Sequence, residues 1–207
     1  MNKSLLIQPN RLLRNLYPKA VWSLNRKEKT IYLTFDDGPI PKLTEWILDE
    51  LAKYNAKATF FCVGENVVRN KNIFERVILE GHKVGNHTMT HIKGFKHSVA
   101  EYMREANECR TLVNSPLFRP PYGRMKRAQY KALTQQGFRI ILWDVISYDY
   151  EKISPKTCAE KVIKYAKSGS IVLFHDNLKA EANVKYALPL FLKHFSEKGF
   201  LFRALTS

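Results

Sequence analysis

Apolar positions along the chain switch repeatedly between two periods. Thr30-Ile-Tyr-Leu-Thr-Phe35 is a β-branched and aromatic run that predicts a strand. Leu43, Trp46, Ile47, Leu48, Leu51 and Tyr54 then recur at helical spacing, which predicts a helix over 42–54. Residues 58–63 predict a second strand closed by Gly64, and 70–80 a helix stopped by Gly81. A short strand is expected at 83–85. Ser98, with Glu101 three residues on, forms a capping box for a helix over 99–113. Residues 117–119 read as extended, 125–136 as a helix ending at Gly137, and 138–145 as a continuous strand. A helix over 155–167 starts at Pro155. A strand at 171–174, a helix over 183–198 and a strand over 200–205 complete the pattern.

Strands that alternate with helices pair in parallel, so the fold class is α/β. Seven or eight strand candidates suit either a small barrel or an open doubly wound sheet. The pattern begins at residue 30, so 30–207 read as one domain preceded by a basic arm over 1–29. Pro18 interrupts the helical spacing of that arm. The arm either packs on the domain or lies on a membrane surface, as basic amphipathic stretches do.

Composition narrows the classes. The chain has 207 residues, 45% of them apolar, which argues against disorder. Three cysteines (Cys62, Cys109, Cys158) without a CxxC pair exclude a disulfide scaffold and a cysteine zinc finger, and read as buried free thiols. No apolar run approaches the ~20 residues that span a bilayer. Leu5-Leu6-Ile7 falls short of the roughly 7–15 apolar residues of a secretion signal, so a cytoplasmic location is expected, at most peripheral to the inner membrane. The formal net charge of +15 predicts attraction to polyanions without choosing among them. No DNA-reading helix or RNA-binding aromatic motif is present, which disfavours a nucleic-acid binder.

Chemistry collects at the strand ends. Asp36-Asp37-Gly38-Pro39 ends the first strand, and His87 and His91 follow the third. Arg119-Pro120-Pro121-Tyr122-Gly123 follows the fourth, Asp144 to Asp149 the fifth, and His175-Asp176 ends the next. In α/β folds the C-terminal ends of strands carry the site. The H-x₃-H spacing suits a zinc pair if 87–91 forms a helical turn. Either Asp36 or Asp37 could add a carboxylate, giving the two-imidazole, one-carboxylate set of a hydrolytic metal, with the other aspartate free as a base. Asp144 and Asp176 read as solvated loop acids. His82, His97 and His194 read as surface or satisfied histidines, and Trp46 as core. Trp143 is divided between core and groove.

Thr34 to Pro39, His87-Thr-Met-Thr-His91, Arg119 to Gly123 and Leu173-Phe174-His175 resemble, in order and spacing, the motifs of the polysaccharide deacetylase family. The resemblance spans about residues 30–204. It implies a distorted (β/α) barrel of about seven parallel strands and metal-dependent hydrolysis of an acetyl group on a carbohydrate. It implies metal ligation by Asp37, His87 and His91, with zinc foremost and cobalt, nickel or manganese as alternatives. By the same resemblance Asp36 is the general base, Arg119 orients it, His175 is the general acid and Asp149 its partner, with Asp144 a weaker candidate for that carboxylate. The Tyr122 N–H holds the oxyanion, Pro121 lines the groove and Leu173 walls the acetyl pocket. The family's fourth motif commonly ends Asp-Trp, whereas this chain has Asp149-Tyr150, so the Trp's part in the groove does not carry over.

The leading expectation is removal of N-acetyl groups from an N-acetylhexosamine glycan or glycolipid, anionic or lipid-linked. The alternatives are O-acetyl esterase action on acetylated xylan, amidohydrolysis of a non-sugar ring, or a basic binder of membrane or nucleic acid. The run from Arg119 to Arg139 holds six Lys and Arg residues and no acid. It reads as a solvated basic face or as a rim that attracts an anionic glycan.

Overall fold

The computed structural model describes residues 8–9, 11–25 and 27–206, and of residues 11–13 the backbone. Eight strands are formed among them: β1 (Thr30–Asp36), β2 (Thr59–Cys62), β3 (Lys83–Asn86), β4 (Leu117–Phe118), β5 (Arg139–Ile140), β6 (Val145–Ile146), β7 (Ile171–His175) and β8 (Leu201–Phe202). Seven follow one path, β5-β4-β3-β2-β1-β7-β6, and β8 pairs with the start of β1. Every strand pairing is parallel. The sheet curls into the distorted barrel that the resemblance implies.

Strand alternation sorts side chains to two sides. Ile31, Leu33 and Phe35 face outward, where Ile47 and Leu51 of α2 (Leu43–Ala52) and Phe191 of α8 (Glu181–Glu197) complete the main core. Phe35 stacks between Phe60 and Phe174, with centroids 5.0 and 6.1 Å apart. A second cluster joins Phe118 and Ile140 to α5 (Val99–Val113) and α6 (Arg127–Gln135). Inside the barrel lies a smaller cluster of Phe61, Leu117, Ile141, Ile171 and Leu205. A fully buried side chain of this size stabilises the fold by about 1.5–3 kcal/mol.

The capping box at Ser98 is formed: Glu101 N donates to Ser98 Oγ at 3.2 Å and Ser98 N to Glu101 Oε2 at 2.7 Å. The three cysteines are buried and free. His82 is also buried, its Nδ1 3.1 Å from the Ala58 amide. No described helix is long and apolar enough to cross a membrane.

The arm is packed on the domain. Its helix α1 (Arg11–Leu16) stops before Pro18, and Tyr17 and Trp22 are buried. Beyond the helix the arm bridges the two ends of the sheet. Val21 N donates to Ile140 O at 2.9 Å and Leu142 N to Val21 O at 2.8 Å, while Leu24 N donates to Gly169 O at 2.8 Å. Leu5-Leu6-Ile7 lie outside the described residues, and Tyr17 and Trp22 are spent on the domain rather than offered to a membrane.

Three local expectations are corrected. Residues 87–91 form a non-helical turn. The expected strand over 138–145 is two short strands. Residues 64–69, unassigned by pattern, form a short helix, α3 (Gly64–Arg69).

Candidate active site

The strand ends converge as their chain order predicts. Asp36 and His175 are direct partners in the parallel register of β1 and β7. His87 follows β3, Arg119 follows β4 and Asp149 lies three residues beyond β6.

Arg119 is wholly buried, its guanidinium 4.1 Å over the Phe61 ring. Nη1 donates to Asp36 Oδ1 at 2.6 Å and to Thr34 Oγ1 at 2.9 Å. Nε donates to Ile141 O at 3.2 Å and Nη2 to Leu142 O at 3.1 Å. A rigid donor fork held on both edges fixes the carboxylate it faces. These bonds also account for the broken strand. The carbonyls of Ile141 and Leu142 serve the guanidinium, and the chain then shifts partners from Val21 to Ile171, which accepts from Asp144 N at 2.9 Å.

Asp37, His87 and His91 each offer a ligand atom, all within 4.8 Å of one another. Asp37 Oδ1 is 3.5 Å from His87 Nε2 and 3.1 Å from His91 Nε2. His87 Nδ1 lies 2.8 Å from Arg119 O, so a neutral imidazole places its proton there and aims the Nε2 lone pair at the cluster. Asp37 Oδ1 is buried and then lacks a donor. Three lone pairs converging on one point, one of them on an orphaned carboxylate oxygen, fit a divalent cation. Burial pushes the Asp37 carboxyl up, but the close imidazoles of His87 and His91 and the charge of His175 outweigh it and hold the group well below the usual carboxylate range.

His175 Nδ1 lies 2.7 Å from Asp149 Oδ1, and Asp149 Oδ2 accepts the His175 amide at 2.7 Å. Burial opposes protonation, but Asp149 and, further off, Asp37 and Asp36 prevail and push the imidazole up to about 9. The imidazole thus favours its protonated form, with Nδ1 engaged by Asp149. Tyr150 packs edge-on against it, with ring centroids 4.7 Å apart.

The loops that hold these groups are strained. Asp37, Thr88, His91, Tyr122 and Tyr148 all have positive φ, between 56° and 90°. L-residues adopt that region at a cost, and such residues cluster at functional sites. At Gly123, φ is +65° and a Cβ would overlap the Trp143 ring, so the Tyr122-Gly123 turn admits only glycine there.

Two acids weighed as solvated are buried. Asp144 pairs with Arg14 at 2.9 Å and accepts from Ser170 Oγ at 2.7 Å, away from His175. Asp176 accepts from Gly38 N at 2.8 Å and from Thr44 Oγ1 at 2.7 Å, and its own amide donates to Asp36 O at 3.0 Å. Burial pushes its carboxyl up to about 8, which limits the charge it carries beside Asp36. Sequence reasoning also missed Asn177, whose Nδ2 donates to Asp37 Oδ2 at 2.5 Å, and Asn66, which donates to Asp37 O at 2.7 Å. The only signal for either was an amide near a motif.

Residues 23–141 match the model of the polysaccharide deacetylase family. A peptidoglycan-N-acetylglucosamine deacetylase of Bacillus cereus is 35% identical over 190 residues, covering 88% of this chain and 89% of that protein. Peptidoglycan-N-acetylmuramic acid deacetylase PdaC of Bacillus subtilis is 32% identical over 184 residues, 86% of this chain and 38% of that protein. A crystal structure of a peptidoglycan N-acetylglucosamine deacetylase in complex with 4-naphthalen-1-yl-N-oxidanyl-benzamide superposes with a TM-score of 0.88 and 31% identity, covering 95% of each chain.

Proposed function

The chain belongs to the polysaccharide deacetylase family and is a carbohydrate deacetylase, and from that premise we propose that it hydrolyses the N-acetyl group of N-acetylglucosamine units in a peptidoglycan-like glycan. The observation that carries this reading is one juxtaposition. The Asp37, His87 and His91 cluster stands between a carboxylate held by Arg119 and an imidazole held by Asp149.

Asp37, His87 and His91 would hold a divalent ion, zinc foremost, which when bound acidifies water and polarises a carbonyl. Asp36 accepts the proton of the attacking water. Arg119 engages Asp36 Oδ1 and leaves Oδ2, 3.8 Å from His87 Nε2, as the accepting atom. The Tyr122 N–H donates to the oxyanion that forms as water oxygen bonds to the acetyl carbon. His175 Nε2 gives its proton to the departing nitrogen as the C–N bond breaks, so that the sugar leaves as an amine and the acyl group as acetate. Leu173 lies two residues before His175 on the same strand face, and it walls the acetyl methyl together with Pro121. This substrate moves the expected location from the cytoplasm to the cell wall.

Acetate release tests the proposal. Zinc-loaded protein should release acetate from chitopentaose and from peptidoglycan glycan strands, a chelator should abolish release, and zinc or cobalt should restore it. Acetate from acetylxylan but from neither amino-sugar substrate would replace the reading with O-deacetylation.

A further inference from the structure

Lys93 Nζ lies 4.9 Å from the centroid of the Tyr122 ring, and that ring lies 4.7 Å from the His91 ring. Lys93 is thus two ring contacts from the reaction centre. Tyr122 and Phe95 are 55% and 60% exposed. The loop that carries Lys93 and Phe95 is fastened to the segment after Tyr122. Gln129 Nε2 donates to Gly94 O at 2.8 Å, Lys126 Nζ donates to His97 O at 2.7 Å, and a Cβ at Gly94 would sit 3.2 Å from Met125 Cα. Beside the seam is a cavity of about 300 Å³ lined by Leu16, Tyr17, Phe95, Met125 and Arg127. That volume is at the lower end of ligand pockets.

This side of the groove is basic. Residues 81–100 and 109–143 contain ten Lys and Arg residues and no Asp or Glu. Among the described residues, exposed Lys93, Lys96, Arg124 and Arg127 make no ion pair.

We propose that the loops 93–97 and 122–127 extend the catalytic groove as a subsite for an acidic glycan, with Tyr122 and Phe95 stacking on sugar rings and Lys93 and Arg127 taking carboxylates on sugars next to the one deacetylated. The proposal rests on the deacetylase reading of the same groove. Stacked apolar sugar faces want exposed aromatic rings, and carboxylates want cations without an ion-pair partner; this wall offers both.

The test is a binding titration of zinc-loaded protein with three probes. These are glycan strands of alternating N-acetylglucosamine and N-acetylmuramic acid, the same strands with their lactyl carboxylates converted to amides, and chitopentaose. Wild type should bind the acidic strands about tenfold more tightly than the amidated ones, a preference that fades as salt rises. The double variant Lys93→Gln with Arg127→Gln should bind acidic and amidated strands alike, and Lys93→Arg should keep the preference. Equal binding of the two strands by wild type overturns the proposal. So does a double variant that loses affinity for both strands in equal measure, or protein that binds phosphatidylglycerol vesicles and ignores acidic strands. Acetate release is assayed in parallel. A missing carboxylate preference with acetate released sinks only the subsite, while a preference without acetate sinks only the deacetylase reading.

Discussion

Asp36 and Asp149 are both buried carboxylates facing a basic partner across the same groove, yet they are wired to opposite ends. Asp36 meets the guanidinium of Arg119, which cannot lose a proton in a protein and is held by Thr34, Ile141 and Leu142 as well. Asp149 meets an imidazole, the side chain that titrates most readily near neutrality. On the first side the pairing fixes geometry, and on the second it sets a protonation state. The same functional group, a buried carboxylate, thus serves two ends, and only its basic partner differs.

The sharpest way to break this contrast is Asp36→Asn. The amide keeps the shape and a hydrogen bond to Arg119 but cannot take a proton. Turnover should fall by about 10²–10⁴-fold, the usual contribution of a positioned acid or base. Zinc content, read by elemental analysis, should stay near that of wild type. Turnover that survives would remove Asp36 from the proton path and leave Arg119 without a catalytic client.

Asp149→Asn probes the other side with a smaller effect. In the metal-free protein His175 should titrate at about 9, followed by its ring resonances in NMR. The variant loses the carboxylate charge while burial remains, so the titration should move to lower pH, and the alkaline loss of acetate release should move with it. The sign for stability follows from the same shift. A folded-state value above the ordinary 6.5 adds stability that is fully present below about pH 6.5 and is lost as pH rises through about 9. Asp149→Asn should therefore cost most stability in mildly acidic buffer and least above pH 9. A titration that does not move would mean that Asp149 orients His175 without charging it.

Much of this arrangement was legible in the sequence. The motifs lie at strand ends, and parallel α/β topology brings strand ends together, so Asp36, Asp37, His87, Arg119 and His175 could be gathered before any coordinates. What escaped depends on tertiary contacts. The 87–91 turn is no helix because Thr88 and His91 take positive φ, which the surrounding loop imposes and no propensity foretells. The strand over 138–145 breaks because Arg119 captures two of its carbonyls, and the arginine's own position, 22 and 23 residues before them, gives no hint of that. Asp176 looks like a loop acid until Gly38 and Thr44, more than 130 residues away in sequence, are seen to enclose it. Tyr150 departs from the family pattern, and its ring meets the imidazole edge-on, a contact that only the fold reveals.

The arm offers the mildest perturbation, and it touches both sides at once. Val21 adjoins Ile140 and Leu142, the segment that serves Arg119, and Leu24 adjoins Gly169, ahead of the strand that ends in His175. Arg14 secures the arm by pairing with buried Asp144 at 2.9 Å, although the arginine is about one-third exposed and partly screened. Arg14→Ala leaves Asp144 with Ser170 as a remaining donor and should cost about 1–2 kcal/mol, between the values for an exposed and a buried pair. For a chain of this length that lowers the melting temperature by roughly 2–8 °C. The two sides should respond alike, because the arm bridges them without touching either carboxylate. The titration of His175 should hold at about 9, and turnover at a temperature well below melting should change by less than about twofold. A shifted titration without loss of stability would show that the arm tunes one side selectively, and that the closure of the barrel is part of the chemistry rather than its support.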